Sequence, residues 1–436
     1  DGMTDALIAD LARIGALRVI SRTSAMRFKG TRQSAPEIAR ELGVDALVEG
    51  SALQAGERVR ITVQLVAAAG DRSLWAESYE RDLTDILGLQ REVARAIATA
   101  IRVQVTDEEQ ARLARHPRVN AAAHVAYLQG RHLWNRWSTE ALRASIARFE
   151  EAIAADPGYA PAYAGLADSY SVLGNTGVLP PAVAYERARA AAQSGLAHDD
   201  QDAELHASLG YVHRFFDWDW PAAEQRFLRA LELNPGYANG RRWYAQFLSG
   251  MGRHAEALPE AERALAEDPL SLIIHTAVGD VLFYARRYEE SMAYYRRSLE
   301  LDPAFGPGHT DLARSLEHVG RHEEALAEFL RAAPAGAAPK PSTGLAILLH
   351  RAGRADEARA MMDGLIARIG REYVSPYGIA SYFAVAGETA PALDWLERAH
   401  AEHDGTLVHV KVHPRLDALR GEPRFRDLLA RMALDA

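Results

Sequence analysis

From Ala121 onward, apolar positions recur at three- and four-residue intervals, the spacing of helix faces packed on a shared core. A longer period lies over this one. The phrases Ala-Leu-Glu-Leu-Asn-Pro, Ala-Leu-Ala-Glu-Asp-Pro and Ser-Leu-Glu-Leu-Asp-Pro end at Pro235, Pro269 and Pro303, which are 34 residues apart. The same register carries Tyr244, Val278 and Leu312, then Ala245, Gly279 and Ala313, then Leu248, Leu282 and Leu316, then Ala257, Ser291 and Ala325. Each period predicts two antiparallel helices. Small residues (Ala245 with Ala257, Gly279 with Ser291, Ala313 with Ala325) mark where the backbones approach, and Leu248, Leu282, Tyr295, Leu316 and Phe329 fill the gap to the next unit. Proline closes the second helix because it has no amide to continue it and pushes the preceding residue out of helical geometry.

This helix–turn–helix period of about 34 residues resembles the tetratricopeptide repeat. The match is close over 238–333 and weaker on either side. Upstream, Phe149, Ala152 and Pro157 close a unit that starts near Ala121, and Tyr163, Leu166, Ala167 and Tyr170 open the next, interrupted by turn formers at Asn175 to Pro181. A third has Asp217-Trp218-Asp219-Trp220-Pro221 in place of a tight turn. Downstream, a linker at Ala333 to Pro341 precedes one unit marked by Leu345, Ala346, Leu349, Gly353 and Ala358 and another marked by Ala380, Phe383, Gly387, Ala392 and Ala399. The expected fold is mainly α: a solenoid of about eight helix–turn–helix units over 121–403, with a cap at 404–436 centred on Leu416 to Met432.

In the first hundred residues the period changes. Arg58-Val59-Arg60-Ile61-Thr62-Val63-Gln64-Leu65 alternates strictly, predicting a half-buried strand with Val59, Ile61, Val63 and Leu65 inward. Strands are also expected at 46–54 and 72–79, joined to it by turns at Ala55-Gly56 and Gly70-Asp71, and at Leu17 to Ser21, with helices at 3–14, 35–42 and 84–105. The result is a small α/β domain at 1–105 and a linker at 106–120. Gly2-Met3-Thr4-Asp5-Ala6-Leu7, Val19-Ile20-Ser21-Arg22-Thr23-Ser24, Glu41-Leu42-Gly43-Val44-Asp45, Val48-Glu49-Gly50-Ser51 and Leu74-Trp75-Ala76-Glu77-Ser78-Tyr79 together resemble the domain related to the TolB amino-terminal domain and FlgO. That resemblance implies a place before tetratricopeptide repeats in bacterial regulators. Their effector is a winged helix (CadC-like activators), an adenylate cyclase or a kinase. It also implies that the family's first strand precedes Gly2, so the chain is expected to be part of something longer.

Length and composition narrow the function. A chain of 436 residues exceeds what one core supports, and 48% hydrophobic with 25% charged residues is ordinary globular composition. The formal charge of −9 gives no chain-wide attraction for nucleic acid or anionic membrane. The absence of cysteine removes disulfides and thiolate chemistry. No apolar run approaches the roughly 18 residues of a membrane span, and the first residues do not read as a signal peptide. Neither a phosphate-binding glycine loop nor a serine nucleophile elbow occurs, so no enzyme and no cofactor are expected.

The remaining candidates are binding residues. The groove positions implied by the repeat family are Asn239, Arg242 and Gln246; Thr276, Asp280 and Tyr284; and Thr310, Arg314 and His318. They suit a peptide or protein partner and depart from the carboxylate clamp of chaperone cofactors. The aromatic patch Phe215, Phe216, Trp218 and Trp220 reads equally as a ligand or partner pocket and as a wedge between repeats. His400, His403, His409 and His413, near Glu402 and Asp404, read as surface histidines, with a zinc or nickel site as the alternative. His318 and His322, and the basic loop Arg22, Arg27, Lys29 and Arg32, read as solvated. The expected function is the non-catalytic sensory and protein-interaction region of a bacterial one-component regulator, placed on the periplasmic face of an inner membrane or in the cytoplasm. It would bind a protein, a peptide or a small molecule, with a homodimer among its assemblies. The alternative is an envelope or secretion scaffold without signalling output.

Overall fold

A computed structural model describes residues 2–55, 58–69, 72–82, 86–101, 120–134, 138–333 and 341–434. The expected linkers at 106–120 and 333–341, the glycine turns at Gly56 and Gly70-Asp71, and the helix end beyond 101 lie wholly or largely outside these residues. The first hundred residues begin with α1 (Gly2–Ala12) and α2 (Ala35–Leu42), followed by the antiparallel meander β1 (Ala46–Ala55), β2 (Arg58–Ala67) and β3 (Arg72–Asp82), and then α3 (Ile86–Ala100). Helix α2 starts on a Ser34–Glu37 capping box and stops at Gly43, whose φ of 64° suits a residue without a Cβ. Val59, Ile61, Val63 and Leu65 are buried as expected, the first three packed with Leu7, Leu11 and Ile14 and with Val93, Ala94 and Ile97 from α3.

Residues 17–21, expected as a strand, are extended but pair with no strand. Two of their hydrogen bonds go to the solenoid instead: Ser21 donates its amide to the carbonyl of Glu267 at 2.9 Å, and Arg18 Nη1 reaches the carbonyl of Ala266 at 3.1 Å. Ser24 Oγ donates to Asp268 Oδ1 and accepts from the amide of Leu270 at 2.8 Å, while Gly236 donates to Ala12 O at 3.2 Å. Ile20 and Leu42 bury against Leu270. Arg27, placed in a solvated loop by sequence, caps the end of a solenoid helix through the carbonyl of Leu301 at 3.2 Å.

Beyond residue 120 come eight helical hairpins among the described residues: α4 (Ala121–Trp134) with α5 (Thr139–Ala155), α6 (Ala160–Asn175) with α7 (Pro181–His198), α8 (Ala203–Val212) with α9 (Trp220–Leu233), α10 (Ala238–Gly250) with α11 (His254–Glu267), α12 (Leu272–Tyr284) with α13 (Tyr288–Leu301), α14 (Gly306–His318) with α15 (His322–Arg331), α16 (Thr343–Arg351) with α17 (Ala355–Ile366), and α18 (Pro376–Val385) with α19 (Thr389–Ala401). Ala245, Ala257, Ala313 and Ala325 are fully buried where the helices meet. Several hairpins seat a ring of the second helix against the bare backbone of a first helix. A Cβ on Gly279 would overlap the Tyr295 ring, and one on Gly130 or Gly165 would overlap Phe149.

Gly279→Ala should therefore destabilise the stack by about 1–3 kcal/mol, the usual cost of overpacking, whereas Gly364→Ala, where nothing lies within 4 Å of the added methyl, should not. Thermal unfolding of the two variants side by side checks this: equal midpoints would refute the close packing.

Candidate functional site

The trough formed by the first helices is not empty. After α19 the chain turns back and runs along the concave side as two short 3-10 segments, Gly405–His409 and Pro414–Leu419, before the last helix, α20 (Pro423–Arg431). Asp404 starts this return. Its Oδ2 accepts from Ser375 Oγ at 2.6 Å and from the Tyr377 amide at 3.1 Å, and its Oδ1 accepts from the Thr406 amide at 3.0 Å. The expected cap at 404–436 thus lines the inside of the solenoid as well as ending it. Val408 O comes so near α10 that a Cβ on Gly250 would sit 2.9 Å from it.

Three contacts hold the segment. His409 stacks on Tyr284 with 4.8 Å between ring centroids and 12° between planes. Val412 packs with Phe283 and Tyr284. Arg415 grips Glu317 through Nε at 3.1 Å and Nη2 at 2.5 Å, with Arg351 at 3.6 Å on the other oxygen. The Glu317 side chain is fully enclosed. Burial pushes its carboxyl up, yet the Arg415 charge and hydrogen bonds outweigh this and hold it below the usual range. At the rim, Arg286 pairs with Asp417 at 2.8 Å.

The structure places the groove residues as follows. Arg242 donates to Asn239 Oδ1 and to Gln246 Oε1, so these three satisfy one another. Thr276 and Thr310 spend their hydroxyls on the carbonyls of Ile273 and Gly306 in their own helices. Asp280 accepts from Arg314 and from Tyr295 Oη, and Tyr284 lies under His409. His318 is half-buried, not solvated. It stacks on Tyr288 at 5.3 Å, and burial lowers its pKa to about 4. None of the nine is exposed.

The aromatic patch is occupied by the chain itself. Trp218, held at φ 53°, stacks on His403 at 4.8 Å; Phe216 lies 5.1 Å from the same ring and accepts His403 Nδ1 on its carbonyl. Trp220 Nε1 donates to Met432 O at 2.6 Å, and Phe215 stacks on Tyr211 at 4.2 Å. It is a wedge, between the third hairpin and the C-terminal segment. His413 is buried and His409 half-buried under its stack on Tyr284, and burial lowers both pKa values well below the ordinary value, which corrects their reading as surface histidines. His413 Nδ1 accepts the Arg415 amide. His403 stays exposed. Among the described residues no three His, Asp or Glu side chains lie close enough to hold a metal ion.

Sequence reasoning missed Glu317 and Arg415, and read Asp404 only as a neighbour of the histidines. Glu317 sits one position from the groove residue His318, and no periodic signal marks a return segment. It also missed a buried carboxylate on α6: Asp168 is 2% exposed and accepts Ser208 Oγ at 2.6 Å. Burial raises its pKa to about 7, with Arg131 opposing and Glu204 and Asp202 reinforcing the shift.

Arg415→Ala, which leaves Glu317 enclosed with only the longer Arg351 contact, should cost about 3–5 kcal/mol and raise amide exchange across 404–420; unchanged exchange there would refute the anchor. For Asp168 the folded pKa lies above the unfolded value, so the folded state takes up a proton between about pH 4 and 7 and stability rises as pH falls through that window. Asp168→Asn should therefore raise the unfolding midpoint at pH 8 and leave it nearly unchanged at pH 5; an equal shift at both would refute the assignment.

The tetratricopeptide repeat family matches residues 219–271, 248–309 and 276–341. A protein of Rhizobium meliloti (strain 1021) named "Putative adenylate cyclase 3" is 36% identical over 169 residues, which are 38% of this chain and 28% of that protein. Similar solved structures include pilF of Pseudomonas aeruginosa (TM-score 0.35, 20% identity, 47% of this chain and 92% of that one) and the human IFIT1 dimer with PPP-AAAA (TM-score 0.45, 16% identity, 72% and 78%). This chain is a mainly helical protein built on tetratricopeptide repeats, an architecture that is generally non-catalytic, with a small N-terminal region around a three-stranded sheet.

Proposed function

We propose that this chain is the partner-binding region of a bacterial signalling protein, and that its trough takes a protein or peptide segment in exchange for its own residues 404–420. The observation that carries the reading is the return segment itself, since the trough already holds a stretch of polypeptide through a stacked ring and an enclosed ion pair. A solenoid's concave face suits this use because each hairpin adds side chains to one continuous surface. The partner's chemistry follows from Glu317: an enclosed carboxylate that loses Arg415 needs another cation, so the incoming segment carries a basic residue where Arg415 lies. The partial match to a protein named as an adenylate cyclase, and the resemblance of the first hundred residues to a domain found in such regulators, support an effector elsewhere in the full protein. Docking of residues 12–28 on the fourth and fifth hairpins offers a route by which exchange in the trough reaches that effector.

The test is selection of displayed peptides on the intact chain and on Arg415→Ala. Peptides enriched in arginine or lysine should bind the variant about tenfold more tightly than wild type, and Glu317→Gln should lose them. Failure to enrich any peptide on either protein, or equal affinity for both, would sink the proposal.

A further inference from the structure

Beneath the return segment lies a group of polar atoms that peptide exchange does not use. Arg214 is 1% exposed. Its Nη2 donates to the Gln246 carbonyl at 3.0 Å, its guanidinium lies 4.6 Å from the Phe215 ring centre, and its Nη1 is enclosed without a partner. Arg242, 7% exposed, spends its donors on the neutral Asn239 and Gln246. Among the described residues neither guanidinium is paired with a carboxylate, and Gln246 lies between them, bonded to both. Two further enclosed atoms have no partner: Tyr185 Oη, beside Gly405, and His409 Nδ1. Burial, added to by the charges of Arg214 and Arg314, lowers the His409 pKa well below the ordinary value, and in the neutral ring's Nδ1–H tautomer Nδ1 would donate.

An enclosed cation without a counter-charge costs several kcal/mol unless something answers it. Here three enclosed polar atoms without partners, Arg214 Nη1, Tyr185 Oη and His409 Nδ1, come from three separate parts of the chain, with the Arg242 guanidinium bonded to the same Gln246 as Arg214. We infer that Arg214, Arg242, Tyr185 and His409 form an enclosed binding site for a small oxyanion, a phosphate or carboxylate group. Arg214 Nη1 offers an oxyanion a charged donor that no protein oxygen takes, and the Tyr185 phenol and His409 imidazole can each add a neutral one. Because His409 belongs to the return segment, the bound anion ties that segment to the trough. A peptide that displaced residues 404–420 would carry His409 away and open the site.

The test is thermal unfolding of the intact chain in sodium phosphate, sodium acetate and sodium chloride at equal ionic strength. A saturable rise in midpoint beyond that in chloride is expected with phosphate or with acetate, and which of them produces it tells the two sources apart. Arg214→Met should weaken that anion about tenfold or more, read as the shift in the anion concentration that gives half the midpoint rise. No rise beyond chloride with either anion, or an undiminished rise in Arg214→Met, overturns the site. If Arg214→Met does not fold, Tyr185→Phe and Arg242→Gln decide: weakened affinity in both supports the site, and unchanged affinity in both overturns it. Peptide capture through Glu317 is read separately, so the failure of one proposal does not imply failure of the other.

Discussion

A helical hairpin of this size buries its apolar face only against a neighbour, and the rest of the structure follows from how that contact is made. Rings on the second helices press against positions without side chains, as Phe149 does on Gly130 and Gly165 and Tyr295 on Gly279. Aromatic bulk at one register and bare backbone at the other fix the separation between successive hairpins. A fixed separation repeated along the chain gives a stack with a defined curvature and a continuous inner face.

That inner face then acquires its own constraint. The first helices carry Glu317, Arg314, Asp280, Arg242 and Asp168 inward, and the stack together with the returning chain removes water from them. Some of these charges are answered from within the repeats, as Arg314 is by Asp280. Glu317 is answered chiefly by Arg415, from a segment outside the hairpins. Arg214 is answered by no charge among the described residues. The mixture explains why the interior is polar and yet closed.

The hairpins and the meander were legible because both rest on local spacing: a period of 34 for the helices and strict alternation over Arg58 to Leu65 for the buried face of β2. Leu17 to Ser21 was misread because its composition suits a strand, while the hydrogen bonds it makes are with solenoid carbonyls more than two hundred residues away. The histidines at 409 and 413 were misread for a related reason. A short stretch between the last hairpin and α20 carries no helical or strand period, and only the trough shows what packs on it.

The sequence by itself determined that this chain stacks helical hairpins and which residues lie at their contacts, because those contacts are made within one unit or between adjacent units. Only the tertiary structure decided what fills the inner face. The contact of Arg415 with Glu317 joins residues 98 apart, and that of Arg286 with Asp417 joins residues 131 apart. Such contacts depend on curvature summed over many hairpins, and no local pattern of residues encodes that sum.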